Sequence, residues 1–365
     1  MRIMLVGPDR SVKGGITTVI EGILASELAK RHTFLHLSTH RDDLSKMGKL
    51  GYGIKAYANF LKAHRQFRPQ LIHIHSSFGA SFYRKAILIV MARLLRTKVI
   101  NHIHGAEFDR FYESAGSIKK RLVKTIYDYP ETTIVLSQEW VNRIESIVHK
   151  SKVFCLNNFA VIPDMNVDEM LAGYHAREKN ILFLGEVGKR KGAYDLPDIV
   201  KHVSESIPDT HFVVAGNGNI EAVRQQLHSR ACDQYVTFTG WIGPEQKKEW
   251  LTKSQIFLLP SYNEGLPMSV LEAMSYGLPV VSTLVGGIPG LVETGKNGYL
   301  YPPGDTKGIA EGLVNIFQHP KQALEICKAN IEKIKRNYSL ETTMDQLESI
   351  YRQTVREERT EWVKN

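Results

Sequence analysis

The sequence predicts an α/β protein built from two doubly wound parallel-sheet domains in series, facing a central cleft. Short apolar runs alternate with helix-like segments along most of the 365 residues, as expected of βα units whose crossovers cover both faces of a parallel sheet. The alternation stops over residues 157–179 and then starts again. Glycine-bearing loops follow the predicted strands in both halves, where doubly wound sheets take their ligands.

In the first half, strands are expected at 2–7, 33–38, 71–76, 98–104, 132–137 and 153–157. Helical patterns fill the gaps, among them 15–30, 53–67, 80–95 and 117–129. The stretch from Asn157 to Lys179, with Pro163 and many polar residues, reads as a linker. In the second half strands are expected near 180–185, 210–215, 236–240, 256–260 and 279–283, and the tail from Lys307 to Trp362 is helical in pattern. The domain division is 1–160 and 161–339.

Composition bounds the function classes. With 43% hydrophobic residues, the chain has the balance of a soluble globular protein. Cys155, Cys232 and Cys327 are scattered and odd in number, which fits a reducing compartment. The N-terminus runs directly into a strand, so no signal peptide is expected, and no apolar run has the length of a membrane span. A cytoplasmic location follows as the expectation. The net charge of +9 is uneven. Residues 1–160 hold 25 Lys and Arg against 12 Asp and Glu, and the remainder hold 22 against 26. A basic first half points to an anionic partner, a membrane leaflet, a phosphate-bearing acceptor or nucleic acid, with a solubilising surface as the plain alternative.

The most informative segment is 260–277, Pro-Ser-Tyr-Asn-Glu-Gly-Leu-Pro-Met-Ser-Val-Leu-Glu-Ala-Met-Ser-Tyr-Gly. Glu264 sits in a polar loop after the apolar run Ile256–Leu259. Pro267 fits the first turn of a helix and Gly277 its end. The loop places a carboxylate at the mouth of a crevice, and the helix start offers unpaired N–H groups to an anion. Glu272, within that helix, reaches a second polar group of the same ligand. A diphosphate between two hydroxyl-bearing sugars suits this layout, which describes a nucleotide sugar.

This stretch resembles the signature of glycosyltransferase family 4, the retaining nucleotide-sugar glycosyltransferases of GT-B fold. The match runs in order through Glu264, Glu272, Gly277-Leu278-Pro279-Val280-Val281 and Gly286-Gly287-Ile288-Pro289. The resemblance implies two Rossmann-like domains, with a last helix, here 340–365, crossing back to the first. It further implies metal-independent transfer with no cofactor, Glu264 on the donor sugar hydroxyls, and Glu272 on the ribose. Gly265, Leu266, Pro267 and Ser269 would line the donor.

Five other loops are candidates. Ser11-Val12-Lys13-Gly14-Gly15-Ile16 follows the first strand and opens a helix. It is neither a dinucleotide fingerprint nor a Walker loop, and an ordinary strand-to-helix turn explains it equally; the resemblance puts Gly15 beside the donor phosphates or the acceptor. His104, in Asn101-His102-Ile103-His104-Gly105, ends a strand. Such a histidine is more often structural, but the resemblance puts it beside the donor sugar. Gly185-Glu186-Val187-Gly188-Lys189-Arg190-Lys191-Gly192 carries three cations able to neutralise a departing diphosphate. Lys191 matches the family's lysine. The family's arginine is Glu186 here, a departure that leaves Arg190 or Lys189 to supply the second charge. Ala215-Gly216-Asn217-Gly218 and Thr239-Gly240-Trp241-Ile242 also follow strands, and the resemblance puts both near the donor. Pairs His73/His75 and His102/His104 resemble a metal site, but no further ligand set accompanies them, so no metal is expected.

Segment 84–96 is apolar nearly all round, as for a buried helix. Segment 117–129 sets Lys119, Lys120, Arg121 and Lys124 beside Leu122, Val123 and Ile126, which suits contact with an anionic bilayer. The reading is a retaining, metal-independent glycosyltransferase acting on a sugar or a lipid-linked diphosphate-sugar acceptor. It would work in surface-polysaccharide or other glycoconjugate synthesis at the inner face of the membrane. A GT-B sugar-nucleotide epimerase working without an acceptor is the rival. A basic nucleic-acid binder is the weaker rival, since the chain lacks a recognition motif and base-stacking clusters.

Overall fold

A computed structural model describes residues 1–164 and 166–356. It divides into two compact units, Met1–Asn157 with the residues from Leu340 onward, and Asn158–Ser339. Residues 357–365 of the expected last helix, and Met165 of the expected linker, lie outside the described residues.

The first unit holds strands β1 (Arg2–Gly7), β2 (Thr33–Ser38), β3 (Leu71–Ser76), β4 (Lys98–Ile103), β5 (Thr132–Val135) and β6 (Lys152–Cys155). They form one sheet in the order β2-β1-β3-β4-β5-β6, with every pair parallel. The sequence order reverses between β1 and β3, which makes that gap the switch point of the sheet. The central strands are buried along their whole length, as in Leu71–Ser76, because helices cover both faces. Met4, Val6, Ile72, Ile74, Leu88, Phe82 and Trp140 belong to one apolar cluster. Each fully buried side chain of this kind stabilises by roughly 1.5–3 kcal/mol.

The second unit repeats the scheme with β7 (Asn180–Leu184), β8 (His211–Ala215), β9 (Val236–Gly240), β10 (Ile256–Leu259), β11 (Val280–Thr283) and β12 (Gly298–Tyr301). Their order is β12-β11-β10-β7-β8-β9, again all parallel. Here the switch point lies between β7 and β10. Both sheets are Rossmann-like.

Several expectations change in detail. Strand β12 follows Lys296-Asn297, which reads as a turn, and is only four residues long. The segment expected as helix 15–30 is two helices, Gly15–Ala25 and Leu28–Arg31. It breaks at Ser26, whose Oγ donates back to the Ile23 carbonyl at 2.8 Å. The next helix starts at Lys46 rather than 53, because Ser45 Oγ accepts from Gly48 N and caps it despite three glycines in its first turns. The expected linker is part of the second unit. It contains the helix Val167–Ala172, and buried Tyr174 donates from its hydroxyl to the Gln255 carbonyl.

The helix Leu340–Arg356 belongs to the first unit. Tyr351 OH lies 2.7 Å from His73 Nδ1, and Thr354 Oγ1 lies 2.8 Å from Thr132 Oγ1. Glu348 receives Arg31 and Arg352. Among the described residues, no helix is long and apolar enough to cross a membrane.

Candidate active site

In the second unit the loops after β7 and β10 meet at the switch point. After β7, Lys189–Lys191 form a single 3-10 turn closed by Gly192. Gly192 has φ +72°, and a Cβ there would lie 1.8 Å from the Pro260 carbonyl oxygen, so only glycine lets the two loops approach this closely. Tyr262 N donates to the Arg190 carbonyl at 2.8 Å and ties the loops together.

This contact brings the two predicted groups into one place. Lys191 Nζ lies 2.7 Å from Glu264 Oε1, and Arg190 Nη1 lies 3.6 Å from the same oxygen. Arg190 also donates to the Asn263 carbonyl and lies 3.8 Å from Glu186. The residue that departs from the family pattern therefore faces Arg190. Glu264 is 5% exposed and accepts a further bond from Ser261 Oγ at 2.6 Å. The loop behind it is fixed by the second glycine motif. Gly286, at φ +54°, passes so close that a Cβ would lie 1.9 Å from the Glu264 carbonyl oxygen. Gly287 N donates to the Gly265 carbonyl at 2.6 Å.

The helix after this loop runs Met268–Ser275, shorter than expected. Pro267 is not in its first turn but precedes it, in extended conformation, at the N-cap with no side-chain cap. Gly265, Leu266 and Pro267 are buried, and Ser269 is half-buried in the first turn. The Leu266 carbonyl accepts from Asn158 Nδ2 at 2.7 Å, which holds the approach to the helix. Glu272 is paired with Lys247 Nζ at 2.6 Å. The turns after β8 and β9 join the same sheet edge: Gly216 N donates to the Gly240 carbonyl, and Asn217 Oδ1 accepts from Trp241 N at 3.0 Å. The Trp241 side chain is about half exposed.

The partners Ser261 and Lys247 were not singled out from the sequence, and Gly286 was named only as part of the signature. Ser261 and Gly286 lie within the motif stretch, but nothing in their spacing shows what they touch. Lys247 lies on another helix, Pro244–Lys253, and only the fold brings it to Glu272.

The two remaining predicted residues lie in the first unit. Gly15 is exposed and begins the helix Gly15–Ala25 at the end of the loop after β1. His104 follows β4 and belongs to an array of four histidines on β3 and β4. Its Nε2 lies 2.9 Å from His75 Nδ1, and His73 Nε2 lies 3.2 Å from His102 Nδ1. Burial holds His73 and His104 down to about 3, and His75 and His102 well below the usual imidazole range. All four are neutral at neutral pH. His73, His75 and His102 offer nitrogens within 4.8 Å of one another. His73 spends both of its nitrogens on Tyr351 and His102, while Nε2 of His75 and of His102 have no partner among the described residues.

The model of a family described as glycosyl transferases group 1 matches residues 178–319. The chain is 32% identical over 273 residues to the 2-deoxystreptamine N-acetyl-D-glucosaminyltransferase of Niallia circulans, covering 69% of this chain and 68% of that one. It is 23% identical over 326 residues to the UDP-Gal:alpha-D-GlcNAc-diphosphoundecaprenol alpha-1,3-galactosyltransferase of Escherichia coli, covering 82% and 79%. In structure it is similar to the sucrose-phosphate synthase of Thermosynechococcus elongatus, with TM-score 0.80 at 18% identity over 96% of this chain and 98% of that one. That likeness shows the GT-B fold. The sequence match shows the family: the chain belongs to the group 1 glycosyl transferases.

Proposed function

We propose that this glycosyltransferase takes a sugar from a nucleoside-diphosphate sugar and transfers it, with retention at the anomeric carbon and without a metal, to an acceptor hydroxyl. The observation that carries the reading is the convergence of Lys191, Arg190 and Glu264 at the switch point, next to the uncapped start of helix Met268–Ser275. The difficult step is breaking the anomeric C–O bond as charge builds on the diphosphate. Two cations and the helix-end amides supply fixed positive potential there, the charge a divalent ion would otherwise provide. When the donor binds, Lys191 exchanges the carboxylate for a phosphate oxygen, and Glu264 is released to accept from the sugar hydroxyls. Gly265, Leu266, Pro267 and Ser269 then border the phosphates, and Glu272 holds the ribose. His104 contacts the sugar as a neutral imidazole, and Gly15 lies by the phosphates or the acceptor. The leaving phosphate accepts the proton of the acceptor hydroxyl on the same face of the sugar, so no covalent nucleophile is assigned.

The acceptor we propose is a lipid-linked diphosphate sugar at the inner face of the membrane, in glycoconjugate synthesis. The name of the Escherichia coli relative describes transfer to such an acceptor. The first unit has the surface for membrane contact. On helix Ser117–Tyr127, Ile118 is 87% exposed and Leu122 44% exposed, beside the four cations of that helix. Tyr83 and Ile87 are exposed on the adjacent helix Ala80–Leu94, whose other face, with Leu88, Ile89 and Ala92, is buried.

The test is release of nucleoside diphosphate from UDP-, GDP- and ADP-sugars, with the product's anomeric configuration read by NMR. Acceptor-dependent release that needs Glu264 and Lys191 supports the reading; turnover unaffected by Glu264→Gln and Lys191→Ala overturns it. For the membrane, sedimentation with anionic vesicles should weaken with salt and on Ile118→Asp. Binding indifferent to lipid charge would remove that part.

A further inference from the structure

The first unit buries a basic side chain that has no carboxylate partner among the described residues. Lys85, in the second turn of helix Ala80–Leu94, is 2% exposed. Its Nζ donates to Thr39 Oγ1 at 2.5 Å. The charged group acting on it is Arg84, which repels it, and together with burial this drives the ammonium well below its usual range. Arg84 is itself half-buried, and its Nε has no partner among the described residues. Burial first, and then the nearby Arg84 and Lys85, hold His40 down to about 4, with Asp42 as the opposing carboxylate. The His40 Nδ1 atom is also buried without a partner among the described residues.

These groups collect where a doubly wound sheet takes its ligand. Thr39 follows β2, and its Oγ1 donates to the carbonyl of Gly7 at the end of β1. Lys85 stands on the helix that follows β3, so its bond to Thr39 brings together the chain after β3 and the ends of β1 and β2. An ammonium buried without a counter-charge is costly, and a methionine of similar volume would be cheaper there. Lysine has three N–H donors, and one is used on Thr39. Asp42 acts on Arg84 and His40 but not on Lys85, so the arrangement holds more donors and basic groups than negative ones.

We propose that Lys85 and Arg84, with Thr39 and His40 beside them, bind a phosphate-class group of the acceptor substrate. The site is built from residues of the first unit alone, and it rests on the transferase reading only in assigning the anion to the acceptor. A phosphate ester, or a diphosphate at the end of a lipid carrier, has this chemistry.

The experiment uses the full chain and inorganic pyrophosphate, with binding read by calorimetry in wild type, Lys191→Ala, Lys85→Met and the double variant. Lys85→Met should melt higher than wild type, so a folded variant is available; Arg84→Gln serves as a second one. In the Lys191→Ala background, pyrophosphate should still bind, and adding Lys85→Met should weaken it at least tenfold. Binding unchanged by both Lys85→Met and Arg84→Gln overturns the site. The Lys191 comparison with a nucleotide sugar bears on the donor reading separately. A polyprenyl diphosphate in detergent then distinguishes the sources. A Lys85-dependent preference for it over inorganic pyrophosphate puts the anion on a lipid carrier, and equal affinity puts it on a soluble phosphate ester; either result supports the anion site.

Discussion

Lys191 Nζ and Glu264 Oε1 lie 2.7 Å apart with both side chains largely shielded from solvent, so the two groups expected to handle the donor hold each other in its absence. Losing one partner leaves the other charge poorly compensated, though Arg190 and Ser261 remain beside Glu264. Lys191→Ala should therefore cost about 1–3 kcal/mol of stability, whereas Glu264→Gln, which keeps its shape, should cost less. Each should lower kcat/KM by about 100-fold or more, and the double variant should lose much less than the product of the two. Steady-state kinetics and urea unfolding check both parts; additive kinetic losses would mean that the pair does not act as one unit.

Glu272 is expected to contribute to binding rather than to the chemical step. Replacing it with Gln removes the charge that Lys247 now meets at 2.6 Å. The donor KM should rise about tenfold with kcat nearly unchanged, the pattern of lost uniform binding. A fall in kcat at constant KM would put Glu272 in the transition state instead.

Gly286 and Gly290 offer a paired comparison. An alanine at Gly286 meets both a left-handed backbone at φ +54° and the Glu264 carbonyl at 1.9 Å. It should cost at least about 1–3 kcal/mol and displace the Glu264 loop, with activity falling in step. At Gly290 nothing lies within 4 Å of the added carbon, so Gly290→Ala should leave melting and turnover near wild type.

The histidine array sets a pH dependence. His73 is fully buried and held to about 3, while in the unfolded chain it titrates near its ordinary value. Below that value the unfolded state binds more protons than the native one, so stability is greatest above about pH 6.5 and falls as pH drops toward 3. The limiting slope is about 1.4 kcal/mol per pH unit for each such histidine. Urea midpoints from pH 7 to 4.5 should show this decline, and His73→Gln should make it shallower. An unchanged slope would mean that His73 is protonated in the folded protein.

The alternation of strands and helices was readable because both sheets are parallel and covered, so their strands appear as short unbroken apolar runs. The β7 and β10 loops were readable because close backbone approach requires glycines, which stand out in sequence beside the run Lys189-Arg190-Lys191. What stayed hidden was contact between distant segments. Nothing near Glu272 announces Lys247, and nothing near His73 announces Tyr351. Lys85 escaped for a different reason: one lysine in Ala-Ile-Leu-Ile-Val surroundings looks like the solvent edge of an apolar helix, and only its burial on the sheet shows otherwise. The segment after Asn157 looked like a linker because of Pro163 and its run of polar and charged residues, yet Tyr174 within it packs into the second unit.

The first unit draws its final helix from the far end of the polypeptide. Tyr351, which meets His73, and Thr354, which meets Thr132, are translated long after the strands they join. Residues 158–339 form a contiguous stretch, so on the ribosome the second unit has all its parts before the first does. Assembly during synthesis then runs against the order of the sequence, and the half that emerges earliest waits longest for completion.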